Sequence, residues 1–213
     1  MVQEINESES DVLINKQINQ MINLINLGNL QDALILGQSL EESSKNNPDV
    51  LSIMGMLTVE LGAHEDAVRY FRKVVKIRPN CALSSYNLAN SLNSTGRQEA
   101  AISSYKQAIR NKRNYAEAHY ALGNVYSSVS NYKKAVTHYK EAIRIQPDFA
   151  AAHNNLGTAL TKLGRQDEAI DSYHSATSIK PDYSEAYHNL ALLLNICGTN
   201  EQAIVTCLKS IEI

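Results

Sequence analysis

The chain has no tryptophan, only two phenylalanines, four prolines and three cysteines among its 213 residues. The cysteines, at 81, 197 and 207, are odd in number and lack metal-ligand spacing. That excludes a disulfide framework and favours a reducing compartment, the cytoplasm by default. No apolar run approaches the roughly 18–20 residues that span a bilayer, so no membrane contact is expected. The opening stretch MVQEINESESD carries four acids and no Lys or Arg, which is neither a signal nor a transit peptide. The phosphate-cradling, dinucleotide, zinc-protease and nucleophile-elbow signatures are all missing. No catalytic residue, metal ligand or cofactor is expected, and the chain reads as a binder rather than an enzyme.

What is present is a period. Asn-Leu-Ala at 87–89 recurs as Ala-Leu-Gly at 121–123, Asn-Leu-Gly at 155–157 and Asn-Leu-Ala at 189–191, a spacing of 34 residues. Pro79, Pro147 and Pro181 keep the same spacing, with Arg113 in the remaining slot. A fixed period of this size signals stacked supersecondary units. With Ile14 as position 1, the units run 14–47, 48–81, 82–115, 116–149, 150–183 and 184–213, the last one truncated. Residues 1–13 are expected to be a polar, acidic, disordered leader.

Within a unit the apolar residues keep helical spacing. Ala118, Ala121, Leu122, Val125, Tyr126 and Val129 predict one helix; Ala135, Val136, Tyr139, Ala142 and Ile143 predict a second. Position 15 between them is Gly28, Gly62, Gly96, Ser130, Gly164 and Gly198, which suits a left-handed helix terminator. Asn80, Asn114, Asp148 and Asp182 stand where they can cap the following helices. Position 20 is alanine in all six units, and position 8 is Gly55, Ala89, Gly123, Gly157 and Ala191, departing at Met21. Small residues there let two helix axes approach, with Phe71, Tyr105, Tyr139 and Tyr173 at position 24 filling the space beyond. Each unit is a helical hairpin that must stack on its neighbours.

Small residues at 8 and 20, Gly at 15, an aromatic at 24, Ala near 27 and Pro at 32 resemble the tetratricopeptide repeat (TPR). Units two to six, residues 48–213, match well. Unit one matches through Leu24, Leu27, Gly28, Ala33 and Leu40 but departs at Gln20, Met21 and Gly37, so it reads as a degenerate N-terminal repeat. The family's usual Trp at position 4 is replaced by His119, His153 and Tyr187. The resemblance implies an all-α, right-handed α-α superhelical solenoid of about six hairpins that binds a peptide or partner segment in a concave groove. AEAHYALGNVY and AAAHNNLGTAL are also similar to the repeat arm of O-linked N-acetylglucosamine transferases, and to repeat arms that precede transferase domains in bacterial proteins. The alternative function is therefore the substrate-recruiting arm of a larger glycosyl- or sulfotransferase.

By the family's geometry the first helices face the groove, where Asn87, Asn90, Asn93, Asn124, Asn154, Asn155, Asn189 and Asn195 form a candidate ladder. A side-chain amide both donates and accepts, so it can pair with any peptide backbone. The chain holds 21 asparagines, however, and a compositional bias would also scatter some into the groove. Chaperone-tail clamps of the family need Lys and Arg at positions 5, 13 and 17, whereas position 5 here is Ser52, Tyr86, Tyr120, Asn154 and His188.

A second candidate surface is the basic stripe of Arg69, Arg72, Lys73 and Lys76, spaced i, i+3, i+4 and i+7 on a second helix. It lacks interleaved aromatics, which favours a solvated helix face over nucleic-acid contact. His119 and His153 hold equivalent positions on adjacent first helices and read as packing residues that come near one another; Cys197 and Cys207 read as small buried thiols. Ile204, Leu208 and Ile211 predict an apolar face on the last helix, to be covered by more chain, a partner or a second copy.

Overall fold

The computed structural model describes residues 7–44 and 46–212. Among them are twelve α-helices and no strand. The chain divides into two compact units, Met1–Asn111 and Lys112–Ile213, each a stack of three antiparallel hairpins. The first holds α1 (Glu7–Asn26) with α2 (Leu30–Ser44), α3 (Pro48–Glu60) with α4 (His64–Ile77), and α5 (Ala82–Ser94) with α6 (Gln98–Asn111). The second holds α7 (Ala116–Ser128) with α8 (Tyr132–Ile145), α9 (Ala150–Lys162) with α10 (Gln166–Ile179), and α11 (Ser184–Ile196) with α12 (Asn200–Glu212). No described helix is long and apolar enough to cross a membrane.

The hairpin turn is the same six times. The five position-15 glycines have φ between 73° and 82°, and Ser130 takes 58°. At each turn the N–H of this residue bonds three residues back and the next N–H bonds five residues back, as in Gly62 to Val59 at 2.9 Å and Ala63 to Thr58 at 2.8 Å. This double closure satisfies the helix's last carbonyls and reverses the chain.

Caps at the other end differ from expectation. The N-cap residues of α5, α7, α9 and α11 are Cys81, Tyr115, Phe149 and Tyr183, none with a side-chain cap bond. Asn80, Asn114, Asp148 and Asp182 stand one residue too early to serve. Among the N-caps described, Asn47 of α3 and Asn131 of α8 use their side chains to accept a bond from a following backbone N–H. Burial must hold the remaining helix starts.

Burial is organised by an exchange of volumes across each hairpin. Position-20 alanines Ala33, Ala67, Ala101, Ala135 and Ala169 are wholly buried, so the axes meet there. At position 8, a Cβ on Gly55, Gly123 or Gly157 would stand 2.6–2.7 Å from the ring of Phe71, Tyr139 or Tyr173. The ring at position 24 thus rests on the glycine's backbone, and each such buried ring contributes roughly 1.5–3 kcal/mol before entropy is counted. The first hairpin makes the same exchange in reverse. Met21 at position 8 is wholly buried, and Gly37 at position 24 is where the room is given up: a Cβ there would lie 2.8 Å from Met21 Cε and press on Met54 Sδ. The departures at Met21 and Gly37 compensate one another.

Several residues sit elsewhere than the sequence suggested. α1 begins at Glu7, so residues 7–13 are helical rather than disordered. Residues 1–6 lie outside the described residues. Leu27 and Val129 are exposed because each is already past the end of its helix. Cys197, the C-cap of α11, and Cys207, at position 24 of the last hairpin on α12, are exposed rather than buried. The side chain of Ile211 lies outside the described residues.

Candidate binding surface

In the second unit the asparagines of the first helices are engaged with the fold. Tyr139 Oη donates to Asn124 Oδ1 at 2.8 Å, and Asn155 Nδ2 donates to the same oxygen at 2.9 Å and to Tyr120 Oη at 3.1 Å. Asn154 is fully buried; its Nδ2 donates to Glu185 Oε1 at 3.1 Å and to Asn155 Oδ1 at 3.3 Å. Asn189 Nδ2 donates to Asn154 Oδ1 at 3.1 Å. The ladder runs across α7, α9 and α11 and sets their register. A polar cleft of about 280 Å³ remains beside it, walled by Asn124, Ser127, Tyr139, Asn155 and Thr158.

A regularity that the sequence carried explains part of this pattern. Where position 24 is tyrosine, position 9 can accept a hydrogen bond: Asn90 Oδ1 accepts from the Tyr105 hydroxyl at 2.5 Å, Asn124 Oδ1 accepts from that of Tyr139, and Thr158 Oγ1 shares a hydrogen bond with the Tyr173 hydroxyl at 3.1 Å. Where position 24 is Phe71, position 9 is Met56. Asn90 and Asn124 therefore follow the buried phenol, which would otherwise lack a partner. Burial raises the Tyr105 and Tyr139 phenols well above their ordinary pKa, so both remain protonated donors.

The first unit is different. Between α3 and α5 lies a cleft of about 300 Å³ where Met56, Val59 and Leu83 are 46%, 37% and 57% exposed. Asn87 and Asn90 line it from α5. The Asn87 amide makes no side-chain hydrogen bond to a described residue, unlike Asn90. At the cleft's edge the Nδ1 of His64, the first residue of α4, is buried without a hydrogen-bond partner. A second cleft of about 380 Å³ between α1 and α3 is lined by Ile22, Ile25, Ile53 and Leu57, and shares Met56 and Glu60 with the first. Sequence reasoning put weight on the amides and missed these apolar walls, although Met56 and Leu83 break an otherwise polar face. Asn93 and Asn195 are exposed, the latter beside a cavity in the last hairpin.

The basic stripe is half neutralised. Lys73 Nζ lies 2.7 Å from Glu41 Oε1 on α2, and Arg69 lies 3.3 Å from Asp66 with its guanidinium over the Tyr70 ring. Tyr70 Oη donates to Glu41 Oε2 at 2.9 Å. Burial raises the Glu41 carboxyl, but the bonds from Lys73 and Tyr70 outweigh it and hold the group below its usual range. Burial and Glu41 together push the Tyr70 phenol up to about 12. Arg72 and Lys76 are exposed and make no ion pair with a described residue. The stripe ties α2 to α4 and leaves little concentrated charge for a polyanion.

The histidines pair differently from expectation. His119 Nδ1 lies 3.2 Å from His138 Nδ1, across the hairpin, while His153 Nε2 lies 3.0 Å from the Pro147 carbonyl. His119 and His153 are thus engaged separately, because a position-4 side chain points at its own hairpin partner or loop. His138 stacks on Tyr126 with rings inclined by 11°.

Comparison with known proteins agrees with this architecture. A TPR-repeat family model matches residues 89–129, 130–164 and 157–195, and a tetratricopeptide-repeat model matches residues 48–81. The crystal structure of MamA is 28% identical and covers 75% of this chain and 93% of its own, with a TM-score of 0.71. A tetratricopeptide repeat protein from Parabacteroides merdae ATCC 43184, 18% identical, covers 93% of this chain and 79% of its own at a TM-score of 0.79. YrrB, described as a TPR protein with an unusual peptide-binding site, is 19% identical over 83% of this chain and 91% of its own, with a TM-score of 0.69. The last two speak for the fold alone. No curated protein matches the chain. Six hairpins with one turn geometry and an alanine at each crossing, matched by repeat models over residues 48–81 and 89–195, identify the chain as a member of the tetratricopeptide repeat family.

Proposed function

We propose that this protein is an interaction scaffold that holds an extended partner segment against the first helices of its hairpins, and that it acts by binding rather than by catalysis. The observation that carries the reading is the α3–α5 cleft, where three exposed apolar side chains stand beside the uncommitted Asn87 amide. Apolar walls supply the affinity of burial and the amide supplies hydrogen bonds to a peptide backbone, each worth about 0.5–1.5 kcal/mol. The peptide-binding site named for YrrB supports the class of partner. Three cysteines, an odd number without metal-ligand spacing, suit a reducing compartment, and the cytoplasm is the compartment proposed.

The test is a pull-down followed by titration of the captured partner. Asn87→Ala with Leu83→Asp is expected to weaken it at least tenfold with helicity unchanged, since neither side chain is needed by the fold. Equal affinity for parent and double variant would place the partner elsewhere.

A further inference from the structure

Hairpin six carries a vacancy that the other hairpins define. In hairpins two to five, position 24 is Phe71, Tyr105, Tyr139 or Tyr173, and at least three of these rings rest on a position-8 glycine. In hairpin six, position 24 is Cys207 and position 8 is Ala191, so no ring stands at the core position. A cavity of about 460 Å³ opens there, lined by Ala191, Ala203, Leu192, Ile204, His188 and Cys207, with Asn195 at its side. No Asp, Glu, Lys or Arg lines it. An apolar hole of roughly 150 Å³ is enough to hold benzene, so the space admits a ring with room to enter. The alanine is no obstacle, since hairpin three carries Ala89 at position 8 and still buries Tyr105 at position 24.

We propose that this cavity is a receptor for a phenylalanine side chain carried by a partner protein, which completes the hairpin as Phe71 completes hairpin two. Position 9 selects the type of ring. It can accept a hydrogen bond, as Asn90, Asn124 or Thr158, opposite each tyrosine, and is Met56 opposite Phe71; in hairpin six it is Leu192, 52% exposed, which has no acceptor at the place where the phenols of the other hairpins find theirs. A lining without Asp, Glu, Lys or Arg gives a charged side chain no ion-pair partner to offset its desolvation. A second copy of this chain has no phenylalanine to offer, because Phe71 is buried and Phe149 packs against Tyr120 at 4.7 Å between ring centroids. The site lies apart from the α3–α5 cleft, and its fate is independent of that reading.

The exposed Cys207 thiol allows a direct assay on the whole chain. The protein is equilibrated with the mixed disulfides of cysteamine with 2-phenylethanethiol and with 2-mercaptoethanol. The thiolate attacks the distal sulfur, forms the protein disulfide and releases cysteamine, so the adduct ratio reads preference for a ring. The expected result is at least a tenfold preference for the phenylethyl adduct at Cys207 and none at Cys197, which is exposed but outside the cavity. An equal preference at both cysteines overturns the proposal. Peptides selected from a random phage library on the parent, then depleted on the phenylethyl-blocked protein, are expected to carry a phenylalanine whose change to alanine weakens binding at least tenfold. Cys207→Phe is expected to abolish the same binding. Selected peptides without a required phenylalanine, or unaffected by Cys207→Phe, overturn the partner assignment. Loss of peptides to Leu83→Asp alone would sink this site and leave the α3–α5 cleft standing.

Discussion

At the scale of single residues, fit is set by pairs of side chains that share one volume. Met21 and Gly37 occupy the two positions that elsewhere hold a small residue and an aromatic ring, in reversed order. Met21→Ala is expected to cost about 2–5 kcal/mol, the usual price of a buried methionine cavity. Gly37→Phe alone overpacks, because Met21 and Met54 already fill that space. Urea melts of the double variant are expected to show a favourable coupling of about 1–3 kcal/mol, as the phenyl ring enters the space that methionine leaves. Strict additivity would mean that the two sites do not share a volume. At Ala169, wholly buried where α9 and α10 cross, leucine is expected to cost about 1–3 kcal/mol by overpacking; an unchanged melting temperature would refute that crossing.

At the scale of helices, two hydrogen-bonded clusters have opposite consequences. Asn155→Ala removes bonds to Tyr120 and Asn124 and one from Asn154, and is expected to destabilise the second unit by about 1–2 kcal/mol in thermal melts. Asn87→Ala breaks no bond of this kind and is expected to leave stability equal or slightly higher, since alanine is the better helix former. The His119–His138 pair makes α7 and α8 sensitive to acid. Burial, the largest cause, and Arg144 on α8 lower the His119 pKa against the opposing Glu141 and the Arg113 backbone; His138 and the Tyr126 ring complete its surroundings. The unfolded chain then binds the proton more readily, so the stability this group contributes is present above about pH 6.5 and is lost as pH falls through the folded value. Melting temperatures followed from pH 7.5 to 5 are expected to fall, and to fall less in His119→Phe. A parallel fall in both proteins would assign the acid sensitivity elsewhere.

Legibility in the sequence follows the same division. Turns, crossings and core rings were readable because each is decided by one residue type at one position: a left-handed turn needs Gly, and a close crossing needs Ala. The helix starts were not, because burial held Cys81, Tyr115 and Phe149 at the N-cap without a side-chain cap. The amides were legible as a ladder but not as one engaged with the fold, since an asparagine that caps a phenol and one that awaits a peptide look alike in sequence. Pairing position 9 with position 24 would have separated Asn90 and Asn124 from Asn87.

At the scale of the whole molecule, the two units present unlike first-helix faces. The first is walled by Met56, Val59 and Leu83, and the second is closed by its own amides. On α12, Val205 and Leu208 are 57% and 55% exposed. We expect concentration-dependent self-association through this face, measured by sedimentation, and its loss in Val205→Glu with Leu208→Lys. A monomer at high concentration, unaltered by those changes, would show that the face is tolerated in water.

The side-chain bonds between hairpins described above join positions no more than 35 apart in sequence, as in Tyr120 with Asn155. Each contact therefore closes only a short loop of chain, and the entropy of closure does not grow with the number of repeats. The kinetic consequence is a low contact order. Folding can begin in any well-formed hairpin and spread to its neighbours, at a rate that a chain twice as long would share.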